Sequence, residues 1–252
     1  MASDFAGTTA ESYARFRRDL PADQARYLAK RLGLQVDDIV VDLGAGTGQL
    51  TIPLQVYCAL VVAVDPEPAM LERLRRRDTD RVVCVLDDDR GLGRIGRLLG
   101  RSVGAVVIGN ALHWMNEAAT MAAATQLLRP GGGMAIVTQG PPLWWGDAPW
   151  QSAVRTTLEQ FVGPVTELCR TDDESLLDRR RIARDLGLAV DITRWTASYT
   201  VDREWIIGHL ASATSAGQLT RALCEALHRT MDRFDGEPLT EQVVTTALVA
   251  RR

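Results

Sequence analysis

The sequence predicts an α/β fold: a doubly wound, mostly parallel seven-stranded sheet carrying an inserted helical cap. Three observations predict it. Short apolar, β-branched runs recur at regular intervals, helical patterns separate them, and the first run passes straight into an acidic, glycine-rich turn. At 252 residues the chain has room for one large domain with an insertion. We expect a single domain over 1-252, with an N-terminal helical lid over 1-34 and a cap over 140-188.

The first four strands are expected at Ile39 to Leu43, Leu60 to Val64, Val82 to Leu86 and Ala105 to Ile108. Each is short, mostly apolar and bounded by turn residues, as strands buried on both faces are. Between them lie amphipathic patterns such as Pro68 to Arg77, where Met70, Leu71 and Leu74 share one face and the arginines the other. Pro53 is awkward in the helix after the glycine turn, because it removes a backbone donor; that helix should start late or kink. Leu127-Leu128-Arg129-Pro130-Gly131-Gly132-Gly133 closes another helix, and Met134 to Thr138 makes a fifth strand. The stretch from Gly140 to about Leu188 breaks the alternation, with helical patterns at Gln151 to Phe161 and Ser175 to Leu186. Beyond it, Val190 to Tyr199 reads as a strand, Asp202 to Ala211 as a helix and Val243 to Ala250 as the last strand.

Composition narrows the class. Hydrophobic content of 46% and charged content of 24% suit a soluble globular protein, and no apolar run reaches membrane-spanning length. The opening residues lack the layout of a signal peptide, so a cytoplasmic location without membrane partners is expected. Cys58, Cys84, Cys169 and Cys224 are widely spaced with no cysteine/histidine cluster, so neither a metal site nor a disulfide framework is expected. A net charge of -3 argues against a nucleic-acid partner, and the runs Arg75 to Arg77 and Arg179 to Arg181 fall on helical patterns as solvated faces.

The chemistry gathers where the strands end, because an open parallel sheet binds ligands beyond its carboxyl edges. After the first strand, Asp42-Leu43-Gly44-Ala45-Gly46-Thr47-Gly48 brings bare backbone toward a ligand. Asp42 stands two residues before the first glycine, where its carboxylate would face that ligand. It would repel a pyrophosphate and attract an ammonium or sulfonium. That sign points to S-adenosylmethionine. At the second strand end, Asp65 lies 21 residues after Gly44, placed to accept both hydroxyls of a ribose, with Pro66 beside it. The third end supplies Asp87-Asp88-Asp89, acceptors suited to an adenine amine, and the fourth supplies Asn110-Ala111-Leu112-His113-Trp114-Met115.

This ordered set resembles the class I S-adenosylmethionine-dependent methyltransferases. The resemblance rests on Val40 to Gly48, Ala63 to Leu71, Asn110 to Met115 and Leu127 to Gly132, and it covers nearly the whole chain. It implies that Asp42, Gly44 and Gly46 hold the methionine portion, Asp65 and Pro66 the ribose, and either Asp87 or Asp88 the adenine. Asn110 would position cofactor or substrate. Tyr13-Ala14-Arg15-Phe16-Arg17 looks like the segment that small-molecule members fold over the cofactor, bringing Tyr13 and Arg17 to the methionine end. Here Arg18-Asp19-Leu20 replaces the more usual proline-containing continuation.

His113 is the expected catalytic group, since the methyl acceptor must lose a proton and an imidazole titrates near neutrality. It could instead orient the substrate. Trp114 sits beside it, and Trp144, Trp145 and Trp150 in the cap could wall a substrate pocket or fix the cap to the sheet. Asp147, Asp172, Asp173 and Glu174 could attract a polyamine-like molecule or be solvated loop charges.

Two rival nucleotide folds fit less well. For a nicotinamide enzyme, Gln49 occupies the third glycine position and Asp42 opposes pyrophosphate; for a P-loop, no Gly-Lys-Ser or Gly-Lys-Thr follows. The pattern resembles methyltransferases of bacterial secondary metabolism, with aminoglycoside N-methyltransferases of antibiotic biosynthesis the specific expectation. S-Adenosylhomocysteine would be the product. An O-methyltransferase acting on another small natural product or a carboxylic acid, and a non-catalytic S-adenosylmethionine-binding protein, remain the alternatives.

Overall fold

The computed structural model describes residues 7–100, 103–165, 170–213 and 219–252; Cys169 and the opening residues discussed above lie outside them. Two helices, α1 (Thr8–Phe16) and α2 (Ala22–Leu32), precede β1 (Ile39–Leu43), α3 (Thr51–Leu54), β2 (Leu60–Asp65), α4 (Pro68–Arg75), β3 (Val82–Leu86), α5 (Leu92–Leu99), β4 (Val103–Gly109), α6 (Glu117–Leu127) and β5 (Leu128–Gly140). Next come α7 (Pro149–Val162), α8 (Asp173–Asp185), β6 (Ala189–Val201), α9 (Arg203–Ala213), α10 (Arg221–Asp232) and β7 (Leu239–Arg251).

One seven-stranded sheet results, in the order β3-β2-β1-β4-β5-β7-β6, as the alternating pattern predicted. The pairs β1–β2, β1–β4, β2–β3 and β4–β5 are all parallel. Strand order reverses between β1 and β4, which places the crevice of a doubly wound sheet at their carboxyl ends.

Local chemistry sets the helix limits near the site. Glu67 caps α4, its side chain accepting from the Ala69 amide at 3.3 Å, and Pro68 occupies the first turn, where its missing N–H costs nothing. Asn116 caps α6 by accepting from the Ala119 amide at 3.1 Å. The helix around Pro53 neither starts late nor kinks but is cut short: α3 is a single turn of four residues that tightens into a 3-10 turn at Gln55–Tyr57.

The chain divides into two compact units whose boundaries fall inside the long strands β5, β6 and β7. The first comprises residues 1–17, 139–171 and 195–245; the second comprises 18–138, 172–194 and 246–252. The core of the second unit is the sheet sandwich, with Val41, Leu43, Val62, Val64, Val106, Ile108 and Ile136 buried against Leu92, Met121 and Ala124 of its helices. Burying side chains of this size contributes roughly 1.5–3 kcal/mol each. The first unit has its own apolar core, in which Trp150, Val154 and Leu158 of α7 meet Leu223, Leu227 and Met231 of α10.

Several expectations are revised. The strand expected at Met134 begins at Leu128, because Arg129 to Gly132 bulges out between the pairs Val103–Leu128 and Ala105–Gly133 and pairing resumes. The proposed 140-188 insertion does not hold together as one body. Its α7 belongs to the first unit, whereas α8 belongs to the second, where Arg179 and Ala183 are buried. A guanidinium–carboxylate pair explains that attachment: Arg179 donates to both oxygens of Glu117 on α6, at 3.1 and 2.8 Å. The proposed 1-34 lid is likewise divided, with α1 in the first unit and α2 in the second. Helix α10 was not anticipated, although its Thr220 cap and the Leu223, Leu227, Met231 spacing carry the signal.

Candidate active site

Four left-handed or near-left-handed positions shape the crevice in the second unit. Gly44, Gly46 and Gly48 have φ of 71°, 55° and 94°, and Asn110 has 48°. At Gly44 a side chain is also excluded by space, since an added Cβ would stand 2.4 Å from the Ala111 Cβ. The turn after β1 and the turn after β4 are therefore in close contact at the point where strand order reverses.

Four amides of the glycine turn are already used. Gly44 and Ala45 both donate to the Val64 carbonyl, at 2.8 and 3.0 Å; Gly46 donates to Asp65 Oδ2 at 2.8 Å; and Gly48 donates to the Ala45 carbonyl at 2.9 Å. A loop that cradles phosphate must turn such amides toward its ligand, and α3, a single turn, offers no helix N-terminus in compensation. The turn thus fits a phosphate-free ligand and does not fit a pyrophosphate.

Asp65 fastens this turn to the end of β2. Its Oδ2 accepts from Gly46 and its Oδ1 from the Glu67 amide at 2.9 Å, so the carboxylate is held in a fixed orientation with lone pairs to spare for ribose hydroxyls. Burial raises its pKa, and the two amide bonds oppose that shift. Pro66 follows directly and sets the approach to α4.

Asp42 departs from expectation. Its side chain does not lie open to a ligand but is 1% exposed, and its Oδ2 accepts a 2.5 Å hydrogen bond from Thr51 Oγ1. Burial pushes its pKa up to about 7, with the Asp65 charge adding to the rise and the Thr51 hydroxyl opposing it. A neighbouring cation would recover the ionised form, so the residue still suits a sulfonium-bearing ligand and suits an anion poorly. Thr51, nine residues downstream, gave no sign in the sequence of this role.

At the end of β3 both aspartates are engaged. Asp87 accepts from Arg94 and from the Asp88 amide, while Asp88 caps the following 3-10 turn and pairs with Arg90, which holds its carboxyl below the usual range. An adenine amine would share these carboxylates with exposed arginines. Asp89 accepts from Thr120 Oγ1 at 3.0 Å.

After β4, Asn110 donates its amide to the Val137 carbonyl at 2.9 Å, which turns the chain into the 3-10 segment Leu112–Trp114. Leu112 is buried, His113 half-buried and Trp114 exposed, with the imidazole and indole centroids 4.9 Å apart. His113 therefore stands on a short, well-anchored turn beside Gly44's neighbour Ala111.

The remaining predicted residues lie in the first unit. The Arg17 guanidinium donates to Ser212 Oγ at 2.8 Å and lies 5.2 Å from the centre of the Tyr13 ring. Trp150 is buried in that unit's core, and Trp145 is partly exposed under the Arg155 guanidinium at 5.6 Å. The indole N–H groups of Trp144 and Trp150 are buried without a hydrogen-bond partner among the described residues. Of the acids there and beyond, Asp172 caps α8 and Asp173 pairs with Arg194, which assigns both to local structure. No cluster of three metal-ligating side chains occurs among the described residues. No helix among them is long and apolar enough to cross a membrane.

Residues 40–132 match the family model of a methyltransferase domain. An uncharacterised methyltransferase of Mycobacterium tuberculosis is 34% identical over 141 residues, covering 55% of this chain and 54% of that protein. A protein assigned as a methyltransferase in Dictyostelium discoideum is 29% identical over 103 residues, covering 41% of this chain and 37% of the relative. The chain thus spans about half the length, or less, of the curated relatives it matches. Among solved structures, one assigned as a type II methyltransferase from Anaeromyxobacter dehalogenans superposes with a TM-score of 0.63 at 18% identity, over 94% of this chain and 97% of that one. Another, assigned as a methyltransferase from Bacillus halodurans, gives 0.55 at 16% identity over 91% and 98%. Residues 40–132 are thus similar to a methyltransferase domain, and they sit in a sheet of the fold that the Anaeromyxobacter dehalogenans structure shares.

Proposed function

We propose that the protein transfers a methyl group from S-adenosylmethionine to a small molecule in the cytoplasm, the acceptor being an amine of an aminosugar in antibiotic biosynthesis. One observation carries the cofactor reading: the turn after β1 spends the amides of Gly44, Ala45, Gly46 and Gly48 on the chain itself and keeps a carboxyl, Asp42, behind it. The cofactor supplies an electrophilic methyl group carried on a sulfonium. Gly44 and Gly46 line the methionine portion with the Asp42 carboxyl behind them, Asp65 and Pro66 take the ribose, Asp87 or Asp88 the adenine, and Asn110 shapes the wall between them.

His113 takes the acceptor's proton or fixes the acceptor by a hydrogen bond, on a turn already fastened beside the cofactor loop. Trp114, exposed beside the His113 ring, stands on the acceptor side.

Calorimetry tests the cofactor: S-adenosylhomocysteine should bind more tightly than NAD, and the reverse order rejects the reading. Incubation with isotopically labelled S-adenosylmethionine and a panel of aminosugars, phenols and carboxylic acids, followed by mass spectrometry, tests the acceptor. Label on an aminosugar supports the proposal. Label only on a phenol or carboxylate moves the acceptor to oxygen, and no label anywhere favours a non-catalytic binding protein.

A further inference from the structure

The segment after α1 and the glycine turn are joined at two points, both within the second unit. The Leu20 amide donates to the Gln49 carbonyl at 3.0 Å. Beside it, one Arg77 guanidinium spans three acceptors: its Nη1 reaches the Thr47 carbonyl and Asp19 Oδ1, each at 3.0 Å, and its Nη2 reaches Asp19 Oδ2. Arg77 stands just past the end of α4, three residues after Leu74, whose Cδ1 lies 2.4 Å from where a Cβ on Gly48 would be. The end of α4 therefore packs on the turn through Leu74 and grips it through Arg77.

We propose that Arg77 is a positioning residue for the cofactor, holding the Thr47 carbonyl of the glycine turn and the Asp19 carboxylate in one fixed arrangement. This rests on the cofactor reading above. The planar, multidentate guanidinium suits the task, since a point charge could not satisfy a carboxylate edge-on and a carbonyl together. Without it, the turn and the 18–20 segment lose the guanidinium bridge and keep the Leu20–Gln49 bond, so the cofactor must do more of the ordering when it binds. The pair is partly exposed, with side-chain exposures of 27% for Arg77 and 41% for Asp19, so its contribution should be screened by salt.

The test measures S-adenosylhomocysteine affinity by calorimetry in the full chain, a zwitterionic probe whose own binding responds little to ionic strength. Arg77→Met should weaken binding about three- to tenfold, as loss of a partly exposed charge-assisted bond does, and raising the salt should narrow the gap to wild type. Arg77→Lys should recover part of the loss, and Asp19→Asn combined with Arg77→Met should be no weaker than Arg77→Met alone. Thermal melts within a few degrees of wild type check that each variant folds, and Asp19→Asn by itself provides a milder probe of the same contact. Unchanged affinity in Arg77→Met, or strictly additive losses in the double variant, overturns the inference. A wild type that fails to bind S-adenosylhomocysteine rejects the cofactor reading and this inference with it.

Discussion

Replacing Asp42 by asparagine should stabilise the protein at pH 8 and leave it nearly unchanged at pH 4. The carboxyl has a reference pKa of 3.8 and is pushed to about 7 by burial in the folded chain. Well below its reference pKa of 3.8 it is protonated in both states and imposes no penalty, and at pH 4 the penalty is still only about half a kcal/mol. As pH rises toward 7 the unfolded chain releases this proton while the folded chain keeps it, so folding loses about 1.4 kcal/mol per pH unit from this residue. Across a gap of roughly three units the loss reaches about 4 kcal/mol and stays there above pH 7. Asparagine occupies the same volume, can still accept from Thr51 Oγ1, and has no charge to desolvate. Urea denaturation of wild type and Asp42→Asn at intervals from pH 4 to 8, with equal m-values, gives the difference in unfolding free energy directly. Titrating groups remote from Asp42 cancel in that difference, while Asp65, whose charge repels it, contributes a smaller term of its own. The expected curve rises in favour of asparagine between pH 4 and 7 and then levels. A difference independent of pH would show that Asp42 ionises normally in the fold, and the reasoning about its burial would fail. The same substitution should weaken S-adenosylmethionine more than S-adenosylhomocysteine, because only the former carries the sulfonium charge.

Asp65→Ala should weaken cofactor binding and also lower stability by about 1–3 kcal/mol, since the Gly46 and Glu67 amides lose their acceptor; calorimetry and thermal melts read the two effects separately. His113→Ala should reduce turnover far more than cofactor affinity, and full activity across the pH range would leave the imidazole a packing group. Arg179→Met should cost about 3–5 kcal/mol by leaving the buried Glu117 carboxylate unpaired, measured by denaturation, and the joint change Arg179→Met with Glu117→Leu should recover much of it.

The expected locations of the strands and of the crevice were legible because they rest on local patterns. Strands β1 and β3 begin and end where their apolar runs do, and the Gly44–Gly48 turn sits where the strand runs out. Helix α10 is equally local, with its Thr220 cap and the Leu223, Leu227, Met231 spacing written in consecutive turns of the chain. The cap was misjudged for a different reason. Its two helical patterns look alike in sequence, yet α7 carries Trp150, Val154 and Leu158 into one core while α8 is held to another by Arg179. Nothing in either helix alone distinguishes those outcomes.

Sequence by itself determined the alternation of strand and helix, the glycine positions and the presence of carboxylates at successive strand ends, because backbone propensity and apolar period act over a few neighbouring residues. Tertiary structure alone decided what those carboxylates are. It buried Asp42 under Thr51, gave both oxygens of Asp65 to backbone amides, engaged Asp87 and Asp88 with arginines, and joined Asp19 to Arg77 across 58 positions of chain. A charge's meaning depends on the water it has lost and the partners it has gained, and neither is set until distant segments meet.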